Sequence, residues 1–510
     1  MAVEYLLGNV ATFADAARTL AVELPLQSGP VRRAERRFYD TFDGRLYAAG
    51  LSFASSDGRL VLLNGDTEVA WAHMANGGDR LLVRDLPPGA LRDALAAVVD
   101  VRALLPLVEV RTRTRALAVL DDEQKTVVRA IVEELSVVRP GRRPRPLEPR
   151  LKLVPVRGYD KALGRVQHAL EQQIGLRRAT CPLLDEAVIA SGATPGGTSS
   201  KVDIELTPQQ RGDVAASVVL RRLLAVIEAN LPGALGDVDA EFLHDLRVAI
   251  RRTRAVQREL RRVFPPTELA HFRAEFRWLQ RATGTARDLD VYVLEFDDFR
   301  LQLPDAVRSD LDPLLTVLQQ RRAGARRAML RALRSERACS LLRDWEQFLL
   351  GIESGAGSGG PDADRSIGDL AGGRIAKVYR RMVHMGRAID ADSPPDAYHE
   401  IRKQGKELRY LLELFGALYP AEVVKPMTKV LKSFQDVLGR HQDREVQATM
   451  LRSLSDAVAA QPNGAAGLMA MGRLIERLEE QAAAARDEFA ESFAAFSSGG
   501  QRRLVRDTFR

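Results

Sequence analysis

The stretch FLHDLRVAIRRTRAVQREL (242–260) shares a register with a second one, AYHEIRKQGKELRYLLELF (397–415). At a spacing of 155 residues, His244 falls on His399, Arg247 on Arg402, Arg251 on Lys406 and Arg254 on Arg409. Leu246 matches Ile401, Thr253 matches Leu408, Val256 matches Leu411 and Leu260 matches Phe415. The same spacing runs without a gap into the next segment, where Gln280 meets Gln435, Gly284 meets Gly439, Asp288 meets Asp443 and Asp290 meets Glu445. Five more residues of spacing align LQQRRAGARRAML (318–330) with LEEQAAAARDEFA (478–490). Such internal self-similarity marks one unit used twice. It predicts two four-helix halves facing each other across a pseudo-two-fold axis.

Positions 246, 250, 253, 257 and 260 step by 4, 3, 4 and 3, an uncharged stripe that a helix buries against its neighbours. His244, Arg247, Arg251, Arg254 and Arg258 step by 3, 4, 3 and 4. They form a single row, turned about 100° from the core face by the one-residue shift. Arg252 adjoins this row. In the second copy the row is His399, Arg402, Lys406 and Arg409, with Lys403 beside it.

Charges on a helix ordinarily mean a solvated face. A solvated face intersperses acids at i±4, because opposite charges there gain a few tenths of a kcal/mol and like charges lose as much. No acid interrupts either row at its own positions, and each row starts with one of only seven histidines in the chain. Arg offers a planar fork of donors that matches phosphate oxygens, Lys a compact charge, and His a donor that becomes cationic near an anion. If the copies face each other, the repulsion among these groups calls for a dense polyanion. Further cations on neighbouring segments would add to the field: Arg221, Arg222, Arg277, Arg281, Arg287, Arg322, Arg326, Arg380, Arg381, Lys429, Lys432, Arg440 and His441. Single-stranded nucleic acid needs aromatic platforms among the cations. The rows contain none, so a ligand that is all phosphate fits better. Asp288, Asp290, Asp443 and Glu445 are read as orienting Arg side chains rather than as metal ligands, and no HExxH, P-loop or GxSxG motif occurs.

The rest of the chain frames this repeat. Its 510 residues suggest about three domains as a length prior, and 45% hydrophobic content suits globular folding. The net charge of +7 is too modest to imply an anionic partner by itself. Cys181 and Cys339 stand far apart, which excludes a disulfide framework and a cysteine zinc site and fits a reducing cytosol. No run of 18 apolar residues suggests a membrane span. MAVEYLLGNVATFADAARTL (1–20) lacks a basic leader before an apolar core and is not read as a secretory signal.

Residues 1–190 mix β-like runs (59–63, 80–83, 150–156) with helical pieces (90–99, 160–174), an α+β texture. SGATPGGTSSK falls in an expected linker at 191–205. Beyond it the pattern is all helical: a first half at 206–353, a flexible linker at 354–364, a second half at 365–497 and a basic tail at 498–510. The continuous amphipathic patterns predict helices over 208–230, 238–263, 267–299, 306–335, 338–352, 366–390, 394–418, 421–459 and 465–495.

HDLRVAIRRTR, WLQRATGTARDLD, HEIRKQGKELRY and FQDVLGRHQD together resemble the CHAD family. The resemblance covers about 205–500. It implies a bundle of two four-helix halves with a basic central groove that binds inorganic polyphosphate, in a family often associated with polyphosphate granules. On that pattern the binding positions are His244, Arg247, Arg251, Arg254, His399, Arg402, Lys406 and Arg409. The second copy departs at Gln442, where the first has Arg287, and at Gly405 inside a helix.

FYDTFDGRLYAAGLSF (38–53) and RLKLVPVRGYDKALGRVQHAL (150–170) are similar to parts of the CYTH, or triphosphate-tunnel, family, which often precedes a CHAD domain. That fold implies carboxylates for divalent metal and cations for triphosphate. Its ExExK motif falls on Glu4, Leu6 and Gly8; Lys152, Val154 and Val156 stand where glutamates are expected, and Ser55 and Ser56 where basic residues are expected. The expectation is a degenerate β-barrel or tunnel without metal-dependent hydrolysis, followed by an all-α polyphosphate-binding region. No catalytic residue, metal or cofactor is assigned. The expected partner is inorganic polyphosphate, without membrane or nucleic acid; the location is cytoplasmic, on polyphosphate granules. The competing readings are a metal-dependent inorganic triphosphatase fed by the helical half and a nucleic-acid-binding module.

Overall fold

A computed structural model describes residues 3–8, 26–65, 67–74, 78–139, 141–357, 359–390 and 393–509. Most of the segment read for a secretory leader, residue 358 of the expected second linker and the last residue of the expected tail lie outside them. The chain divides into two compact units, Met1–Ser199 and Ser200–Arg510.

The first unit is an antiparallel sheet of ten strands: β1 (Val3–Leu6), β2 (Leu26–Thr41), β3 (Leu51–Ser56), β4 (Arg59–Asn64), β5 (Thr67–His73), β6 (Leu104–Leu120), β7 (Thr126–Val137), β8 (Arg145–Pro146), β9 (Arg150–Pro155) and β10 (Arg177–Arg178). Their order across the sheet is β10-β1-β9-β7-β6-β2-β3-β4-β5, with β8 paired to β7 off that path. Its spine is three long strands, β2 (Leu26–Thr41), β6 (Leu104–Leu120) and β7 (Thr126–Val137). In β6, buried Val108, Val110 and Thr112 alternate with Glu109, Arg111 and Arg113, the period-2 pattern of a strand with one covered face. Strands β1 (Val3–Leu6) and β9 (Arg150–Pro155) pair so that Glu4 lies opposite Lys152, while β7 puts Glu133 opposite Arg150. The helix at 90–99 forms as Ala90–Val99, buried through Leu91, Leu95 and Val99. The β-like run at 80–83 does not become a named strand. It makes one isolated bridge, Leu81 to Leu104, and ends in a 3₁₀ turn at Val83–Asp85.

All named helices and 3₁₀ turns of the second unit follow one another without an intervening strand. The repeated segments are the helices Ala240–Glu259 and Pro395–Phe415, called here the first and second basic helix. Asp239 caps the first by accepting from the backbone N–H of Glu241 at 2.9 Å and of Phe242 at 3.2 Å. The uncharged stripe is buried as expected: Leu246, Ile250, Thr253, Gln257 and Leu260, then Ile401, Gly405, Leu408 and Phe415.

The pattern read as one helix over 267–299 breaks into Pro266–Ala282, Gly284–Leu294 and Phe296–Leu301. Thr283 Oγ1 donates back to the carbonyls of Leu279 and Gln280 at 3.0 and 3.2 Å, which bends a helix, and Gly284 follows. Residues expected as a basic tail form a further helix, Gly499–Thr508, anchored by buried Val505 and Phe509.

Candidate functional site

The first basic helix and the second touch each other across the two halves. Arg251 Nε donates to Tyr410 Oη at 3.3 Å. Arg252 pairs with Glu413, and Arg258 Nη2 lies 2.7 Å from Glu407. The rows therefore converge. Arg251, Arg254 and Arg258 from one helix, with Lys403, Lys406 and Tyr410 from the other, line a cleft of about 230 Å³. Arg402, Lys406 and Arg409 line a second of about 710 Å³ with Arg440 and Arg444. Lys406 lines both, so the two clefts adjoin at it and are together called the groove here. Gln257, fully buried, lines the first cleft and Gln435 the second. Both amides lack a hydrogen-bond partner at nitrogen and oxygen among the described residues, and these atoms are closed off from solvent.

The copies repeat their contacts as well as their residues. His244 Nδ1 lies 3.0 Å from Arg287 Nη2, and His399 Nδ1 lies 3.0 Å from Oε1 of Gln442. Positions 287 and 442 occupy the same place in the repeat. A Cβ on Gly284 would sit 3.6 Å from the Arg247 guanidinium, and one on Gly439 would sit 3.9 Å from that of Arg402. Both are ordinary van der Waals distances, so each arginine lies against the glycine of its own copy. Gly405, where the first copy has Ile250, accommodates Gln435: a Cβ there would lie 3.3 Å from its Nε2.

The cations divide by partner. Arg402 holds Asp443 at 2.7 Å, Arg409 holds Glu413 at 2.6 Å, Lys403 holds Glu400 at 2.7 Å, and Arg258 holds Glu259 and Glu407. Arg251, Arg254 and Lys406 make no ion pair among the described residues. Arg254 donates to Gln280 and is surrounded by Arg277, Arg258, Arg273 and Arg281; burial and then these charges lower its pKa. Lys406 is an exposed residue overall, yet protein crowds its charged end, and its pKa is pulled down to about 8 by desolvation and then by Arg402 and Arg251, against the opposing pull of Asp443. Beneath them Glu259 and Glu407 form a tight buried acid pair. Desolvation, followed by its bond to Glu259, pushes Glu407 up to about 8, so one of the two carboxyls stays protonated near neutrality.

Arg247 differs from the rest of its row. It is 8% exposed and donates to the Gln280 carbonyl at 2.8 Å and to Thr283 Oγ1 at 3.0 Å. It pins the bend between two helices. Several neighbouring cations are likewise structural. Arg322 binds Asp290 and Asp237, and Arg326 donates to the carbonyls of Ala234 and Leu235, closing a helix end. Arg221 pairs with Glu353, Arg222 donates to the Lys201 carbonyl, and Arg287 donates to the Ala240 carbonyl. His441 is turned inward at 3% exposure, with Nδ1 3.0 Å from the Ala482 carbonyl and its ring against Tyr398. Lys429 and Lys432 are exposed but line neither cleft. Arg381 reaches the groove through Gln404 at 3.1 Å, whereas Arg380 turns to a different face. Arg273, Arg444 and Tyr410 line the groove although the rows did not mark them; Arg273 and Arg277, four apart on one helix, carried the available signal.

Glu241, His244 and Asp245 bring three ligand atoms within 4.8 Å of one another. The Arg287 guanidinium occupies this place, 3.0 Å from His244 and 3.6 Å from Glu241, so a protein cation already serves the cluster. In the first unit, Glu4 is held by Arg150 at 2.8 Å, and Arg150 in turn by Glu186 at 2.6 Å. Leu6 and Gly8 supply no carboxylate, so this donor set does not fit a divalent metal.

Residues 218–452 match the family model described as the CHAD domain. Two uncharacterized proteins of Mycobacterium tuberculosis, from strains CDC 1551 and H37Rv, are each 30% identical over 295 residues, covering 55% of this chain and 55% of their own length. The chain thus spans about half the length of these curated relatives. Among solved structures, the CHAD domain from the plant Ricinus communis is 24% identical with a TM-score of 0.49, covering 58% of this chain and 96% of its own. PptA from Streptomyces chartreusis is 18% identical with a TM-score of 0.44, covering 56% of this chain and 99% of its own.

Proposed function

Given a chain that carries a CHAD domain over residues 218–452, we propose that it is a non-enzymatic inorganic polyphosphate-binding protein that holds the polyanion in the groove between its two basic helices. The carrying observation is the groove lined by both rows, in which Arg251, Arg254 and Lys406 are left without carboxylates among the described residues. The lowered pKa of Lys406 and of Arg254 supports the reading, since each reflects positive charge crowded into partly desolvated space. A flexible chain of phosphates relieves that repulsion at every position. Among the described residues each cleft has one aromatic ring in its lining, Phe299 in one and Tyr410 in the other, too few to interleave with the cations as successive stacked bases require. A place at polyphosphate granules belongs to the same proposal.

The test is competition between polyphosphate and single-stranded DNA of matched charge at one salt concentration. Polyphosphate should displace the DNA and its affinity should fall steeply with salt through counterion release. Stronger binding to DNA would end the proposal.

Lys406 adds a pH signature. Its pKa stands near 8 in the unbound groove and rises when an anion binds, so binding takes up a proton. Affinity should therefore decline as pH rises from 7 to 9.5. Lys406→Arg, always charged, should flatten this decline. Calorimetry in buffers of different ionisation enthalpy would measure the uptake. An unchanged slope in the variant would show that Lys406 does not meet the ligand.

The first unit is read as scaffold. Its remaining tunnel-type acid, Glu4, is neutralised by Arg150, and Glu133 is raised by desolvation, opposed by Arg36 and Lys152. A phosphate-release assay with Mg²⁺ or Mn²⁺ and triphosphate should give no turnover above background.

A further inference from the structure

The helix Ile367–Arg387 carries cations on two faces. Arg381 belongs to the groove side through Gln404, while Arg380, His384 and Arg387 step by 4 and 3 along another face. That face meets the helix Gly499–Thr508, which presents Arg502, Arg503 and Arg506. Together the two helices enclose a cleft of about 870 Å³, floored by Ala376, Val383, Val505 and Phe509. No carboxylate lines it among the described residues. Asp507, paired with Arg506 at 3.0 Å, is the neighbouring acid.

This cleft is separate from the repeat. The positions equivalent to Arg380, His384 and Arg387 in the first copy are Ala225, Ala229 and Pro232, so nothing there duplicates the cations. The helix Gly499–Thr508 lies beyond the residues matched by the family model. The apolar floor lowers the local dielectric, which strengthens attraction between the rim and an anion. Gly373 and Gly499, each with open space where a Cβ would stand, leave backbone approachable at the cleft wall.

We infer that this cleft is a second oligophosphate-binding site, which takes a short condensed phosphate independently of the groove. The inference rests on the polyphosphate reading for its ligand class, and on the geometry of six convergent basic side chains for its place. A chain with two such sites can hold two stretches of one polyanion, or bridge two molecules of it.

Calorimetric titration of the full chain with inorganic tripolyphosphate tests this. In Arg502→Glu/Arg506→Glu the number of tripolyphosphates bound should fall by one, while the groove-bound step persists. In Arg254→Glu/Lys406→Glu the complementary step should disappear and the cleft step remain. Should reversal unfold the terminal helix, Arg502→Gln/Arg506→Gln with unchanged circular dichroism gives the same reading. An unchanged stoichiometry in the Arg502/Arg506 variants overturns the second site and leaves the groove reading standing. Loss of the Arg254/Lys406 step with retention of the cleft step supports both. Absence of any tripolyphosphate binding by the parent overturns both.

Discussion

Replacing Arg254 and Lys406 together by Glu is expected to weaken polyphosphate binding by on the order of 10²- to 10³-fold at moderate salt. The slope of log affinity against log salt should also become shallower by about two or more, since two phosphate contacts vanish. The fold should survive. Both side chains sit off the apolar stripe and have no carboxylate partner to orphan among the described residues. Glu at 254 would face Arg277, Arg273 and Arg281, and Glu at 406 would face Arg402, Arg251 and Arg409. Reversal thus replaces repulsion with attraction, and the melting temperature should hold or rise. Binding lost with stability retained is the signature of a site kept at a cost to the fold. If affinity were unchanged, the rows would be no more than solvated faces.

Arg247→Glu should do the opposite. It would place a carboxylate, 8% exposed in its present side chain's position, against the Gln280 carbonyl and the Thr283 hydroxyl. Removing the buried charged donor leaves the Gln280 carbonyl without its guanidinium and sets a carboxylate against that oxygen, which should cost on the order of 3 kcal/mol even with Arg251 and Arg287 nearby. Burial and the nearby cations Arg251 and Arg287 already lower the pKa of Arg247 to about 10, opposed by Asp288. Urea unfolding followed by circular dichroism would measure the loss. A variant as stable as the parent would return Arg247 to the group of exposed, ligand-facing cations. Because Arg247 and Arg402 are repeat mates, Arg402→Glu is the informative control. Arg402 meets Asp443 at the groove wall, where Asp443 is exposed, so its reversal should affect binding more than stability.

The register at 155 residues made the pair of basic helices legible, because a helix face is fixed by spacing and the same face recurs twice. The buried state of Arg247 was not legible. Its spacing is that of the groove cations, and its repeat mate Arg402 lies against Gly439 much as Arg247 lies against Gly284, so neither row nor glycine distinguishes it. The carboxylates that neutralise Arg258 in the first row, and Arg402 and Arg409 in the second, were hidden for a related reason. Glu407, between Lys406 and Arg409, and Glu413, just past Arg409, lie off the row of the second helix and reach Arg258 and Arg252 on the first. A row free of acids in its own sequence can therefore be countered by acids from its partner. The long strand β6 was written in the alternation of VEVRTRTRALAVL, but its many arginines obscured a half-buried pattern that emerges once β2 and β7 flank it. The bend at Thr283 depended on a hydroxyl bonding backward, a local choice that periodicity alone does not reveal.

The most direct measurement is a crystal structure of the chain grown with short-chain polyphosphate at saturating concentration. The account predicts phosphates within hydrogen-bond reach of Arg251, Arg254 and Lys406, running on toward Arg402 and Arg409. A saturated crystal with those five side chains unliganded and phosphate bound elsewhere would contradict it.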